Sequence, residues 1–370
     1  MRFSKLPFLI LCAALLLPGR AAAQADTTMT FEEYDPVSTL VVPENPVHRA
    51  KFPFVDVHNH QWQMSSDEAD LATVAAHMDT LNMRVMVNLS GGSGERISGA
   101  AANIREQAPG RFLVFANLDF DGFGTQDWTE RTVKQLEEDV ANGAQGLKIF
   151  KNLGLTATDA DGNRIPTDHP DLDPVWAACG QLGIPVLIHT GEPAVFWAPI
   201  DRYNERWLEM KMFPNRHRDP DEYPSWEEVM SEQWHVFEKH PETTFINAHL
   251  GWMGNDLARL GDLLDTYPNV YTEIAAVIGE LGRQPRFARQ FFIDYQDRIM
   301  FGKDTWRPEE YYVYFRVLET ADEYFEYYRK RHAFWRMYGM DLPDEVLRKV
   351  YYKNALKVIP GIDESLFPSE

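Results

Sequence analysis

The sequence predicts a (β/α)8 TIM barrel of the α/β class, and three observations carry that expectation. Eight short apolar, β-prone runs alternate with helix-like segments. Residues able to ligate a metal stand where four of those runs end. The chain has 370 residues, enough for one barrel with a large core.

The first run, Phe52-Pro53-Phe54-Val55-Asp56-Val57-His58-Asn59-His60, reads as a buried strand. Side chains on a strand alternate faces, so His58 and His60 point the same way from its end. Two imidazoles so placed can grip one divalent ion from one side. The plainer alternative is two polar residues leaving a strand for a loop. Residues 85–89 and 112–118 read as the second and third strands, with a helix over 94–108 between them. A helix over 127–142 carries Val133, Leu136 and Val140 on one face and precedes a fourth strand at 146–150. Helices over 171–182, 226–239, 256–267 and 286–295 precede strands five to eight. Strand five, 184–188, runs into His189, and strand six, 243–248, runs into His249. Strand seven covers 270–274, and strand eight, 298–303, runs into Asp304. Imidazole nitrogen and carboxylate oxygen are the donors that borderline divalent metals prefer. In such barrels the active site lies where strands end and loops begin. The loop after strand five, 190–225, is long and rich in Trp, Arg and Asp, as a lid or substrate wall is.

Before the barrel, Arg2 and Lys5 open a segment with an apolar stretch over 6–17 and a small-residue junction at Ala21-Ala22-Ala23. This is the pattern of a secretory signal peptide cut near Ala23 or Ala25, so a periplasmic or secreted location is expected. The expected layout is a signal peptide over 1–23, an N-terminal arm over 24–51, the barrel over 52–360 and a tail over 361–370. No other apolar run is long enough to span a membrane. Of the two cysteines, Cys12 leaves with the signal, so Cys179 stands alone and the core must hold the fold. Net charge is -20, and loss of Arg2, Lys5 and Arg20 takes it to about -23. Such a surface argues against nucleic acid and anionic membranes as partners and leaves a homodimer open.

The His-x-His, His, His, Asp series resembles the amidohydrolase superfamily, specifically its amidohydrolase-related branch. That branch includes aminocarboxymuconate semialdehyde decarboxylase and metal-dependent lactonases. The resemblance runs from about Phe54 to Ile359 and includes a C-terminal helix at Tyr351-Tyr352-Lys353-Asn354-Ala355-Leu356. It implies that His58, His60, His189 and Asp304 bind one divalent metal, zinc foremost and manganese as the alternative. It implies that His249 activates or orients the water beside it. A two-metal site with a carbamylated Lys148 is the minority arrangement; otherwise Lys148 is a barrel lysine paired with an acid, or a substrate contact. Two positions depart from the branch: Lys303 precedes Asp304, and Glu273 ends strand seven where relatives often have aspartate.

The expected activity is that of an exported metal-dependent hydrolase of a small ester, lactone or amide, acting through metal-activated water. Asp304 accepts the water's proton, and His249 holds the developing negative oxygen or shuttles a proton. A nonoxidative decarboxylase is the alternative, and a noncatalytic binding protein on the same barrel is the second. Arg202, Arg206, Arg283, Arg286 and Arg307 follow strand ends and are candidate readers of a substrate carboxylate, or else surface ion pairs. The aromatic run Tyr311 to Tyr328 reads as helix packing, with a substrate wall as its alternative.

Overall fold

The computed structural model describes residues 28–125, 127–332 and 335–369, so the expected signal peptide lies outside the described residues. The chain divides into two compact units, Met1–Ser38 and Thr39–Glu370. In the first, a turn is held where Thr30 donates to Glu33 from its backbone N at 2.8 Å and from Oγ1 at 2.9 Å. The second unit takes in residues 39–51 along with the barrel. Ala50 N donates to Leu81 O at 3.1 Å, and Asn45 donates to Asp322 from N and Nδ2 at 2.6 and 2.7 Å.

Eight parallel strands form the barrel. They are β1 (Phe54–Asn59), β2 (Met83–Asn88), β3 in two pieces (Phe112–Val114 and Ala116–Asn117), β4 (Leu147–Ile149), β5 (Val186–Ile188), β6 (Phe245–Asn247), β7 (Val270–Glu273) and β8 (Ile299–Met300). Phe115, between the two pieces of β3, donates to Asn88 O at 2.9 Å, so pairing carries across the break. Val57 N donates to Phe301 O at 3.0 Å and closes the ring. Val186, Phe245 and Val270 lie in register, so these strands end at one level and their following residues meet. β1 is buried along its whole length, as the apolar run requires.

Local chemistry sets the helices. Asp70 caps Leu71–Leu81, a crossover helix absent from the expected set, by accepting from Thr73 N at 3.1 Å. Ser225 and Asp256 do the same for Trp226–Lys239 and Leu257–Thr266. Each such cap is worth about 1 kcal/mol. Helix Asp173–Leu182 stops at Gly183, whose φ of 67° favours glycine. Asn354, in the C-terminal helical segment, donates from Nδ2 to Gln296 O and Ile299 O, both at 2.8 Å, and ties that segment to β8. Tyr311, Tyr314 and Phe315 are buried on helix Pro308–Glu319, so most of the aromatic run is packing.

Candidate metal centre

His58, His249 and Asp304 offer ligand atoms that all lie within 4.8 Å of one another at the strand ends. His60 joins them: its Nε2 and that of His58 each stand 3.5 Å from Asp304 Oδ1. His189 touches the group through His249, with 3.3 Å between its Nδ1 and His249 Nε2. The five residues singled out in the sequence thus meet in one place.

Hydrogen bonds fix which ring nitrogens carry protons, as assigned from their partners. His58 Nδ1 donates to Glu273 Oε1 at 2.9 Å, leaving Nε2 buried, without a protein partner and with its lone pair exposed to Asp304. His60 Nδ1 lies 2.6 Å from Ser90 Oγ. His249 Nδ1 donates to the Ala275 carbonyl at 2.7 Å, so its Nε2 is an acceptor. His189 Nδ1 donates to that acceptor, and His189 Nε2 is left buried, partnerless and unprotonated. A buried polar atom without a partner is costly unless something else satisfies it. Imidazoles held from behind by a carboxylate or carbonyl are the arrangement that orients metal ligands. The residues therefore fit a divalent ion.

Burial reinforces this by keeping the rings neutral. Burial drives His58 and His189 well below the ordinary histidine value, and Lys148 and neighbouring imidazoles add to the effect. His249 is pushed down to about 3, again chiefly by burial. Burial pushes Glu273 up, while the His249 and Ala275 backbone N–H groups and Lys148 pull it back. Lys148 Nζ is buried without a hydrogen-bond partner; burial lowers it to about 7 against the pull of Glu273 and Asp304.

The backbone is bent to serve this cluster. His249, Leu250, Gly251 and Trp252 all have positive φ, between 54° and 57°, and Asp304 has φ 83°. Non-glycine residues in that region cost roughly 1–3 kcal/mol each and collect at functional sites. The bend aims His249 N at Glu273 Oε1, 2.7 Å away. Gly302 allows the close approach behind it: a Cβ there would come within 2.4 Å of Glu273 Oε2 and 3.0 Å of the His58 Cβ.

Two residues of this centre carry roles the sequence did not reveal, Glu273 behind His58 and Ser90 behind His60. An acid ending a strand beside the metal face was the one available signal for Glu273. Lys303 turns away from the metal face, and its Nζ lies 2.6 Å from Glu310 Oε2. Among the arginines, the expectation needs correction. Arg202 is exposed and donates to the Tyr203 hydroxyl at 2.5 Å. Arg283 pairs with Glu205 at 2.9 Å and covers the Trp335 ring, and Arg286 is exposed. None of these three lines the cavity over the metal face: Arg202 lies in a turn of the β5 loop, Arg283 ends helix Ile278–Arg283, and Arg286 lies in helix Pro285–Asp294.

That cavity has a volume of about 570 Å³ and contains His189, His249 and Asp304 in its wall. Arg206 and Arg307 line it, as does Arg329, which the sequence did not single out. The long β5 loop, partly helical over Trp207–Met212, forms one side. Its Glu209 is buried and accepts from Arg206 at 2.5 Å and from Arg216, with Arg331 and His332 at 3.4 and 3.3 Å.

A strand-end cluster of neutral imidazoles and one carboxylate, beneath an open cavity, defines a metal-dependent enzyme on a (β/α)8 barrel. The amidohydrolase family model matches residues 55–361, and the chain belongs to that family. Three solved structures share the fold. One is an uncharacterised TIM-barrel protein from Bordetella bronchiseptica, at 15% identity and TM-score 0.52, covering 83% of this chain and 98% of that one. Another is a dihydroxybenzoic acid decarboxylase from Polaromonas sp. JS666 with bound manganese and 2-nitroresorcinol, at 14% and 0.51, covering 83% and 96%. The third is 4-oxalomesaconate hydratase from Rhodopseudomonas palustris, at 14% and 0.50, covering 85% and 97%. No curated protein matches the chain.

Proposed function

We propose that the chain is an exported hydrolase of small carboxylated esters, lactones or amides, with His58, His60, His189 and Asp304 holding one divalent metal. The observation that carries the reading is the linked set of hydrogen bonds from Glu273, Ser90 and Ala275. It leaves ligating nitrogens free on His58 and His189 and uses up the acceptor of His249 on His189. Zinc suits this nitrogen and oxygen donor set, and manganese is the second choice. When bound, such an ion polarises a carbonyl and lowers the pKa of water to about 7.

The protein's own groups do the rest. Asp304, part exposed to the cavity, takes the proton of the attacking water. His249, kept neutral by burial, stands beside Asp304 and orients that water. Trp252 stacks on His249 at 4.5 Å and keeps its ring in place. Seven cationic side chains and four carboxylates line the cavity of a chain whose net charge is -20. That local reversal of sign draws anionic substrates in.

The same positive wall suits a carboxylate that leaves as carbon dioxide, so decarboxylation is the second reading. A screen of zinc- and manganese-loaded protein separates the two. Proton release from carboxylated lactones or esters, or amine release from carboxylated amides, without carbon dioxide is expected. Carbon dioxide from aromatic or unsaturated acids, with no hydrolysis, overturns the first reading. Among the described residues no helix is long and apolar enough to cross a membrane. N-terminal sequencing of exported protein should begin after Ala23 or Ala25, and an intact Met1 on functional protein overturns export.

A further inference from the structure

We propose that Arg329 anchors a carboxylate of the substrate, so that the cavity takes small organic carboxylates end-on, acid toward the loop wall and reacting bond toward the metal face. The proposal rests on the reading of this cavity as the substrate site. Arg329 lines the cavity together with His189, His249 and Asp304, and the charge of Asp304 acts on it.

The neighbouring cations are already engaged. Arg206 places one guanidinium nitrogen 2.5 Å from Glu209 and the other 2.6 Å from Glu280. Arg216 pairs with Glu209, and Lys151 stands 2.5 Å from Glu192. Arg331 lies 3.4 Å from Glu209. Arg307 is two-thirds exposed at the mouth, 3.9 Å from Glu310. Among the described residues, the Arg329 guanidinium has no carboxylate at ion-pair distance. It lies 5.6 Å from the centroid of the Tyr328 ring. A partly buried guanidinium without an acceptor is a standing cost that a carboxylate relieves, and its planar fork matches a carboxylate with two parallel bonds.

Arg329 is also held in place. It lies between the two strands of a small antiparallel hairpin, Phe325–Glu326 and Arg336–Met337. His332 N donates to Arg329 O at 2.9 Å, closing a turn whose Arg331 and His332 side chains are pinned by buried Glu209. The backbone that carries the guanidinium is therefore fixed beside the cavity. A second acid on the substrate would meet Asp304 and be repelled, so one carboxylate at this end is the form recognised.

The test is direct binding to the metal-free full-length chain, which needs no turnover. Benzoate and butyrate, each with one carboxylate, are titrated by calorimetry, with benzamide and butyramide as their neutral counterparts. The acids should bind wild type more tightly than the amides. Arg329→Gln should weaken the acids roughly tenfold to a hundredfold and leave the amides unchanged. Arg329→Lys, which keeps the charge and loses the fork, should fall between the two. Equal acid affinity in wild type and Arg329→Gln, or no preference for acids in wild type, overturns the anchor. If Arg329→Gln lacks a native circular dichroism spectrum, Arg329→Lys decides: a loss of about threefold or more supports the anchor and unchanged affinity overturns it. Acid binding that depends on Arg329, without turnover of any screened compound, keeps the anchor and removes the hydrolase reading. Hydrolysis of carboxylated substrates by Arg329→Gln at wild-type KM removes the anchor and keeps the hydrolase.

Discussion

The two walls of the cavity are built on opposite principles. The barrel wall presents imidazoles held from behind by Glu273, Ser90, the Ala275 carbonyl and one another, with the Nε2 atoms of His58 and His189 left without a protein partner. The loop wall presents charges, most of them cancelled in pairs around Glu209 and Glu280. On the barrel side, burial strips protons from the imidazoles, which then depend on an outside cation for satisfaction. On the loop side, burial is tolerated because Glu209 faces several cations and Glu280 faces Arg206. One wall is prepared for a metal and the other for an anion.

The largest expected effect breaks the barrel wall alone. His58→Ala or His60→Ala should lose metal and activity together, while the loop wall stays intact and benzoate still binds. Asp304→Asn should lose more activity than metal, because an amide coordinates weakly and cannot take a proton. Elemental analysis of wild type should give about one tightly held ion per chain. A reproducible second ion, with a carbamate on Lys148, moves His249 into the ligand set and overturns the one-metal assignment.

Glu209→Ala should break the loop wall alone. It leaves buried Arg206 with Glu280 as its one carboxylate partner and removes the shared acid of Arg216, Arg331 and His332 at once. Removing one partner of a buried ion pair costs roughly 3–5 kcal/mol. Urea denaturation should show that loss with metal content unchanged. A loss below about 1 kcal/mol would mean that the four contacts are not coupled and behave as surface pairs do.

How much of this contrast was legible in the sequence follows from where each part sits. His58, His60, His189, His249 and Asp304 each end an apolar run, so strand periodicity and barrel topology place them without side-chain detail. Glu273 is different. Its contact with His58 depends on Gly302 leaving room across the β8–β1 seam, a close approach no pattern encodes. Arg202 and Arg206 show the limit more sharply. Four residues apart in one loop, one is exposed and the other almost wholly buried, because only Arg206 meets Glu209 and Glu280. Arg329 escaped notice because its hairpin follows β8 at a distance, and charge alone does not distinguish it from Lys330 or Arg331. The barrel wall is written in periodicity; the loop wall is written in tertiary ion pairs.

A smaller effect sharpens the division within the barrel wall. If His249 orients water and ligates nothing, His249→Ala should keep most of its metal and lose turnover by roughly a hundredfold. Metal loss as complete as in His58→Ala would put His249 among the ligands, as its place in the tight cluster with His58 and Asp304 allows.

The smallest effect is graded and appears in acid. His249 and His332 titrate near 3 in the folded protein, and burial holds His58 and His189 well below the usual value. Unfolded histidine titrates near 6.5. Below that pH the unfolded chain binds protons that the folded chain refuses, so stability falls as pH falls. Each imidazole contributes at most about 1.4 kcal/mol per pH unit. Asp56 opposes the trend: burial raises it to about 6, so between that value and the usual carboxylate range the folded chain binds the extra proton. Lys148 does not enter, because its shift acts above its folded value of about 7. Urea midpoints of the metal-free protein should therefore drop between pH 6.5 and pH 5. His332→Asn removes the buried imidazole beside Glu209 and should make the slope shallower by about one proton. An unchanged slope in that variant would place the whole acid response on the barrel wall, where His58, His189 and His249 await the metal.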